Sequence, residues 1–232
     1  MHFREGEIIC IDKPYAMSSF GALAHIRYLL TKRMGYKVKV GHAGTLDPLA
    51  TGVLILCTGK KTKEIETLQA HDKEYVATLQ LGASTASHDM EHPVDERFST
   101  DGITRERVEQ VLQGFVGDIL QVPPVYSAVC VNGKRAYQLS RKGKDFEIKA
   151  KQVRIDHLEL LHFDPELMQM SIRVGCGKGT YIRSLARDIG EALSSGAYLT
   201  SLCRTRVGKV RVEDCITLER FPQWLEQQHI EG

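Results

Sequence analysis

The chain has 232 residues, of which 42% are hydrophobic and 26% charged, values typical of one globular domain. Its net charge of +2 argues against a nucleic-acid-binding protein, which usually carries a clear basic excess. The N-terminus is charged and lacks an apolar core, so we expect no secretory signal, and the uncharged stretch 48–59 is too short to span a bilayer. The six cysteines are scattered without a Cys-x-x-Cys pair, which excludes a disulfide framework and a zinc site and favours a cytoplasmic protein.

Hydrophobic periodicity in the first half of the chain predicts short strands and two helices. A helix is expected from Ser18 and Ser19, which offer N-caps, to about Met34, with Gly35 ending it. Val108 to Phe115 follow helical spacing, and Thr104 can cap that helix. The predicted strands cover residues 8–11, 37–40 and 75–81.

The second half predicts strands at residues 152–160 and 168–174, and its strongest helix at residues 182–193. Thr180 is the expected cap of that helix and Gly196 its stop. After Leu218 there is room for one short helix. Strands outnumber helices without regular interleaving, so we expect an α+β fold with a mixed, largely antiparallel central sheet flanked by helices. Residues 123–152 are basic and weakly periodic, which indicates an extended insertion rather than a second domain.

The near-neutral total charge hides three segments of opposite sign. Residues 125–154 contain eight basic and two acidic residues, and residues 173–211 contain the same numbers. Residues 84–121 contain eight acidic and three basic residues. A single charged run is usually a solvated face, but two basic segments flanked by tyrosines are the pattern expected for phosphate contacts. The charge distribution therefore favours a nucleic-acid partner that the total conceals.

Two motifs match the letters of known sites without the expected context. The segment HDMEH (88–92) fits a metalloprotease pattern, but that chemistry needs a helix, and the nearby Gly82 and Pro93 predict a loop. The segment GCGKGT (175–180) resembles a phosphate loop, but Gly179 splits its Gly-Lys-Thr unit. We therefore expect no metal and no nucleoside triphosphate, although a helix beginning after Gly179 would present free N–H groups to an anion.

The segment GHAGTLDPLATG (41–52) carries the strongest functional signal. Its glycines and Pro48 predict a tight loop that holds Asp47 outside any regular strand. From the residues alone, two interpretations are equally open. Asp47 either caps the following turn, or acts as a nucleophile or base at a sugar carbon.

This segment resembles the signature loop of the TruB-type tRNA pseudouridine synthases. Further matches follow in the family's order along most of the chain. They are DKP (12–14) with MSS (17–19), DKEY (72–75), PPVYSA (123–128) with GKRAY (133–137), KGTYIR (178–183) and LCRTRVG (202–208). The chain departs from the family's pattern at Ala16, Cys130 and Cys203, where the family has Gly, Lys and Arg. The last two changes each remove a possible phosphate contact.

The resemblance implies the pseudouridine synthase fold in a single catalytic domain over residues 1–232, with a thumb insertion at about 123–152 and no C-terminal PUA domain. It implies isomerisation of uridine 55 in the T loop of tRNA, with no metal or other cofactor. The implied partner is the T stem-loop of tRNA, bound by a monomer that needs neither a membrane, a guide RNA nor a protein partner.

By similarity, Asp47 is the catalytic carboxylate, Arg183 pairs with it and keeps it ionised, and Tyr75 stacks on the target base. The base must leave the RNA stack before it can react. His42 would fill the space vacated by flipped nucleotides, and Tyr181 and Leu202 would line the pocket. Positioning contacts to RNA are implied for Lys13, Lys63, Lys178 and Arg204.

Each of these residues also has a purely structural interpretation. Tyr75 and Leu202 could be core residues, His42 could simply tolerate a turn, and Arg183 could be a surface neighbour of Arg187. Two other functions compete with the enzyme. One is an RNA-binding module that keeps the pocket without catalysis. The other is a carboxylate glycosidase, disfavoured because no second acid is recognisably paired with Asp47.

Overall fold

The computed structural model describes residues 1–127, 129–131, 133–136, 139 and 146–230. The chain divides into two compact units, which we call unit 1 and unit 2. Unit 1 comprises residues 1–75 and the described residues from Leu202 onward, and unit 2 comprises the described residues of 76–201.

Fourteen strands and five α-helices are found in the described residues, together with short 3-10 helices at Gly59–Glu64 and Val212–Asp214. The helices are α1 (Ser19–Met34), α2 (Ile65–Ala70), α3 (Arg105–Gln113), α4 (Ile182–Ala192) and α5 (Phe221–Glu226). The strands are β1 (Ile8–Lys13), β2 (Val40–Ala43), β3 (Thr51–Thr58), β4 (Lys73–Leu81), β5 (Ala83–Thr85), β6 (Val94–Arg97), β7 (Gly117–Gln121), β8 (Cys130–Val131), β9 (Lys134–Arg135), β10 (Lys151–Asp164), β11 (Gln169–Cys176), β12 (Ala197–Val207), β13 (Val210–Arg211) and β14 (Ile216–Thr217).

Strand β3 is the centre of unit 1. On one side it pairs antiparallel with β1, and β1 in turn pairs parallel with β14. On the other side it pairs antiparallel with β2 and parallel with β12. Every residue of β3 after Thr51 is buried, because both faces of the strand are covered. Leu54 and Leu56 pack with the apolar residues of α1 and α5, and Val53 and Ile55 pack in a second cluster on the opposite face.

Helix α1 begins and ends where the sequence predicts. The hydroxyl of Ser18 accepts a hydrogen bond from the N–H of Gly21 at 3.0 Å, which satisfies a donor that the first turn leaves open. Gly35 ends the helix with φ +70°, and its N–H donates to the carbonyl of Thr31. The buried residues, including Leu23, Ile26 and Leu30, recur at helical spacing and bury one face of α1.

In unit 2 the strand order is β4-β11-β10-β7, and β10 pairs antiparallel with both β11 and β7. Strands β5 and β6 form a separate antiparallel pair. Helix α4 buries all of its first five residues as well as Ile189 and Gly190, and α3 is capped by Thr104 as predicted. Most strand pairs are antiparallel and β1–β14 and β3–β12 are parallel, which confirms the predicted α+β fold with a mixed, largely antiparallel sheet.

Several predicted boundaries are wrong. Residues 37–39 precede β2, because the pairing that defines the strand begins where Val40 meets Thr58. Thr180 does not cap α4: its hydroxyl donates to the carbonyl of Gly177, and Tyr181 occupies the cap position. The same helix ends before Gly196, at a turn in which Ser194 has φ +58°.

The predicted thumb at 123–152 is described in part, as the short strands β8 and β9 and the segment from Phe146 onward. Residues 128, 132, 137, 138 and 140–145 lie outside the described residues. In the described part of the chain, no helix has the length and apolar character needed to cross a bilayer.

Candidate active site

Asp47 lies in the loop between β2 and β3, as the sequence predicts. The side chain is half-buried. Its backbone carbonyl accepts a hydrogen bond from the N–H of Ala50 at 3.1 Å, so the residues after it form a turn containing Pro48. Asp47 therefore opens a short rigid turn directly before the buried strand β3, and the position of its carboxylate depends on how the loop is held.

Ser19 holds the residue immediately before Asp47. The Ser19 hydroxyl accepts a hydrogen bond from the N–H of Leu46 at 2.8 Å and donates to the carbonyl of the same residue at 2.9 Å. Both side chains are buried, with 2% and 4% exposed. The first residue of α1 thus fixes the backbone of the loop in two directions, while Ser18 supplies the helix cap.

Lys13 supports the same loop from the end of β1. Its side chain is fully buried, and its ammonium group donates to the carbonyl oxygens of Pro14 at 2.8 Å, Met17 at 2.6 Å and Pro48 at 3.3 Å. Burial lowers the pKa of Lys13 to about 8, the negative charge of Asp47 opposes that shift, and the positive charge of Arg204 adds to it. The ammonium donates to protein carbonyl oxygens and braces the loop inside unit 1. The expected contact of Lys13 with RNA stays a prediction.

Arg204 performs a similar task from β12. Only 2% of the side chain is exposed, and its guanidinium donates to the carbonyl oxygens of Val53 at 2.8 Å and Gly44 at 3.1 Å. The close approach of β12 depends on Gly52, which has φ +101°, and a Cβ atom there would lie 2.3 Å from the Arg204 carbonyl oxygen. These two donors are directed at the backbone around the loop. The expected contact of Arg204 with RNA stays a prediction.

The other predicted residues of unit 1 lie on the strands around the loop. His42 is half-buried in β2 opposite Leu56, and its Nδ1 atom has no hydrogen-bond partner within the described residues. Burial and the charge of Arg204 lower its pKa, so the imidazole is mainly neutral at pH 7. Tyr75 lies on the buried face of β4, and Leu202 is half-buried in β12.

Lys63 lies away from this loop. It is exposed, and it belongs to the 3-10 helix Gly59–Glu64, which follows the C-terminal end of β3, whereas the loop precedes the N-terminal end. A strand of eight residues spans about 26 Å at the usual rise per residue. The structure therefore places Lys63 on a different part of unit 1 from Asp47.

In unit 2, Arg183 is the second residue of α4 and only 4% of it is exposed. Its guanidinium donates to the carbonyl oxygens of Ser87 at 3.3 Å and Tyr126 at 2.9 Å, and it lies 3.8 Å from the carboxylate of Asp89. Asp89 is itself buried and accepts a hydrogen bond from the N–H of Glu91. Arg183 is thus a buried, oriented cation rather than a surface neighbour of Arg187.

Tyr181 is the N-cap residue of α4, two positions before Arg183. Its backbone N–H donates to the side-chain oxygen of Gln121 at 2.8 Å, and its carbonyl accepts from the nitrogen of the same amide at 3.1 Å. This reciprocal pair fixes the entry into α4, because Gln121 is itself buried. Lys178 lies exposed in the turn before the helix. Its expected contact with RNA stays a prediction.

The HDMEH segment forms turns, as predicted, rather than a helix. His88 has φ +59°, and burial together with the charges of Arg187 and Arg183 lowers its pKa to about 4. The ring of His92 lies 4.5 Å from that of Tyr126. Among the described residues, no cluster of His, Cys, Asp or Glu side chains could hold a metal ion.

The structure thus gathers Lys13, Ser19 and Arg204 around the loop of Asp47, and it holds Arg183 in a separate set of contacts in unit 2. The predicted pairing of Asp47 with Arg183 joins residues of different units and stays a prediction. The supporting roles of Ser19, Gln121 and Asp89 were not predicted from the sequence. Asp89 carried a signal, since it is one of two acidic residues in the segment 88–92, which was predicted to be a loop.

Comparison with known proteins assigns most of the chain to one family. Residues 31–182 match the N-terminal domain of the TruB family pseudouridylate synthases, and residues 183–232 match the C-terminal domain of tRNA pseudouridylate synthase B. The two matches meet within α4, between Ile182 and Arg183.

Related sequences agree along the full chain. The tRNA pseudouridine synthase B of Phocaeicola vulgatus is 60% identical, with 100% of this chain and 98% of the relative covered. The protein of the same name from Bacteroides thetaiotaomicron is 59% identical with the same coverage. Among solved structures, a Cbf5-Nop10-Gar1 complex contains a chain with a TM-score of 0.72 and 30% identity. That match covers 97% of this chain and 56% of the other. From the two domain matches and these relatives, the chain belongs to the TruB family of pseudouridylate synthases.

Proposed function

We propose that the protein isomerises uridine 55 in the T loop of tRNA to pseudouridine, with Asp47 as the catalytic carboxylate. The observation that carries this proposal is the bracing of the Asp47 loop by three buried side chains, Lys13, Ser19 and Arg204. A loop that only connected two strands would not need two buried cations directed at its backbone. The names of the relatives, which specify tRNA and pseudouridine, support the choice of substrate.

The reaction is an internal rearrangement of one nucleotide. The glycosidic bond between C1′ of the ribose and N1 of uracil breaks, the base rotates, and a bond forms between C1′ and C5. The hydrogen on C5 leaves as a proton, and N1 gains a proton, so atoms and charge balance. Asp47 would act by engaging the sugar or the base while the glycosidic bond is open. No oxidant, reductant or added group is required.

A carboxylate in this role must be ionised and correctly placed. The positive charge of Lys13 attracts Asp47. Ser19 holds the backbone before Asp47, and Arg204 holds carbonyl oxygens on both sides of it. Arg183 would add a second cation from unit 2, oriented in advance by Asp89 and by the carbonyl oxygens of Ser87 and Tyr126. Within each unit, these contacts orient the side chain before the substrate binds.

The target uridine must leave the RNA stack before Asp47 can reach its ribose. Tyr75 would stack on the flipped base, and Tyr181 and Leu202 would line its pocket. His42, being mainly neutral at pH 7, could occupy the space that the base leaves without attracting a phosphate. Lys178 is exposed and available to the RNA backbone.

The direct test follows the hydrogen that the reaction releases. An unmodified tRNA transcript labelled with tritium at C5 of uridine should lose about one label per molecule to water when the protein is added alone. A transcript with cytidine in place of uridine 55 is the control and should lose none. The absence of release at saturating protein would contradict the proposed function.

Substitution of Asp47 separates the enzyme from a noncatalytic RNA-binding module. Asp47→Asn keeps the size of the side chain and removes its charge, so tritium release should fall by about 10⁴-fold while tRNA binding stays close to that of the unchanged protein. Unchanged release would contradict the catalytic role. Loss of binding in a correctly folded variant would show that Asp47 holds the RNA instead.

A further inference from the structure

Unit 1 has a pocket of 440 Å³ at the C-terminal end of β3, outside the site of Asp47. Its lining comes from residues 3–4, from residues 36–39, and from residues 59–60 together with 62–63. Five of the lining side chains are cationic, and a tyrosine lies among them. These six residues, which we call the basic pocket, are Arg4, Tyr36, Lys37, Lys39, Lys60 and Lys63.

The cations of the basic pocket are largely without acidic partners. Lys60 forms an ion pair with Glu5 at 2.6 Å. Within the described part of the chain, no carboxylate pairs with Arg4, Lys37 or Lys39. Repulsion among uncompensated cations makes such a cluster unfavourable unless an anion joins it. The pocket therefore has the electrostatic character of a site for a polyanion.

Two lysines of the basic pocket are exposed on either side of a buried residue. Lys37 and Lys39 are exposed, and Val38 between them is 2% exposed and anchors the segment to the core. Arg4 lies with its guanidinium 4.5 Å above the centre of the Tyr36 ring, which orients the planar cation. An oriented guanidinium matches two oxygens of a phosphate, and the lysines supply point charges for neighbouring phosphates.

We propose that the basic pocket binds the ribose-phosphate backbone of the RNA substrate at a second point, remote from the reacting nucleotide. This inference rests on the proposed function for its choice of RNA. The pocket follows the C-terminal end of β3 and the Asp47 loop precedes its N-terminal end, so a ligand that reaches both must extend over about 26 Å. A folded RNA satisfies this requirement, and a free mononucleotide does not.

The decisive variant is Lys37→Glu combined with Lys39→Glu. The affinity for a full-length tRNA transcript, measured by fluorescence anisotropy, should fall at least tenfold near 0.1 M salt. The slope of log affinity against log salt should become shallower by about two, because two phosphate contacts are lost. The loss should be larger with full-length tRNA than with a hairpin limited to the T arm, and turnover at saturating tRNA should be unchanged.

Matched controls separate the pocket from a general charge effect. Lys39→Glu alone should weaken binding, while Arg220→Glu, a charge reversal at an exposed residue outside the pocket and outside both basic segments, should leave the affinity nearly unchanged. Equal losses in these two variants would overturn the proposal, as would equal losses with the hairpin and the full tRNA. Calorimetric titration with inorganic phosphate tests the other source of the same chemistry. A phosphate site abolished by the double variant, with tRNA affinity intact, would overturn the RNA assignment.

The binding test of the basic pocket does not depend on whether the protein is catalytically active. If the unchanged protein releases no tritium, the proposed function fails. The affinity and salt slope of the double variant then still decide whether the basic pocket holds RNA. If tritium is released but the double variant binds tRNA as the unchanged protein does, only the inference about the basic pocket fails.

Discussion

The two ends of strand β3 use cationic side chains in opposite ways. At its N-terminal end, Lys13 and Arg204 are buried and donate to backbone carbonyl oxygens around the Asp47 loop. At its C-terminal end, Lys37 and Lys39 are exposed, and no carboxylate pairs with them within the described residues. The same residue types therefore serve as internal braces at one end and as outward charges at the other.

The difference follows from the cost of removing a charge from water. A buried cation is tolerated only when hydrogen bonds replace its hydration, and those bonds then fix the groups that accept them. An exposed cation keeps its hydration in the free protein, and it exchanges part of that hydration for an anion when the anion binds. Substitutions at the N-terminal end of β3 should therefore act mainly on the fold and the placement of Asp47, and substitutions at the C-terminal end should act on binding.

The largest effect is expected for Gly52→Ala, which breaks the packing at the N-terminal end. The residue has φ +101°, and the added Cβ would meet the backbone of Arg204 at 2.3 Å. We expect a loss of about 4 kcal/mol or more in the free energy of unfolding, measured by urea denaturation. Gly35→Ala is the control, since φ is +70° there but no atom lies within 4 Å, and it should cost about 1 kcal/mol. Similar losses in both variants would contradict the steric explanation.

Lys13→Met should lower the free energy of unfolding by about 2 kcal/mol at pH 7, because three carbonyl oxygens lose their donor. The pH dependence gives a sharper signature. Burial lowers the pKa of Lys13 to about 8 from 10.5, so the unfolded chain binds this proton more tightly than the folded protein does. The contribution of Lys13 to the free energy of unfolding therefore rises between about pH 8 and 10.5.

Urea denaturation at several pH values measures this contribution as a difference between two proteins. Groups other than Lys13 titrate in both the unchanged protein and Lys13→Met, and their effects cancel in the comparison. The stability of the unchanged protein should increase relative to the variant as the pH rises through this range. Parallel curves would show that the buried ammonium keeps its usual affinity for the proton.

Ser19→Ala tests whether the loop is held in two directions. The variant loses the hydroxyl that bonds both the N–H and the carbonyl of Leu46, and both groups are buried, so we expect a loss of about 1–2 kcal/mol. Turnover at saturating tRNA should also fall, because Leu46 precedes Asp47. Ser18→Ala is the matched control: it removes the cap of α1 at a cost of about 1 kcal/mol and should leave turnover unchanged. Equal effects on turnover would refute a positioning role for Ser19.

Local signals in the sequence predicted much of the fold. The caps of α1 at Ser18 and Gly35 were correct, because a hydroxyl and a glycine act on the backbone within one turn of themselves. The cap of α4 was wrong, because the hydroxyl of Thr180 bonds to the carbonyl of Gly177 instead. The start of β2 at Val40 depends on its partner Thr58, which lies on another strand. Contacts distant in sequence set these boundaries.

The candidate site shows the same limit. The motif around Asp47 was visible in the sequence, and its loop lies where it was expected. The family resemblance implied that Lys13 and Arg204 contact RNA, and it did not indicate that both side chains are buried, which is rare for lysine and arginine. Their acceptors Pro48 and Gly44 lie 35 and 160 positions away along the chain, so only the tertiary structure could show that they are braces. The residue types predicted positive charge around the loop. They did not predict that these cationic side chains donate to the protein backbone.

The smallest effect on stability, and the clearest separation between the two ends, is expected for Lys39→Ala. Because the side chain is exposed, the free energy of unfolding should change by less than about 0.5 kcal/mol. The affinity for tRNA near 0.1 M salt should nevertheless fall about fivefold, since one phosphate contact is lost. Lys60→Ala removes the same charge from the same pocket, but Lys60 is already paired with Glu5, so its loss should weaken binding less. If Lys39→Ala destabilised the fold as Lys13→Met does, or if the two alanine variants lost affinity equally, the distinction between internal and outward cations would not hold.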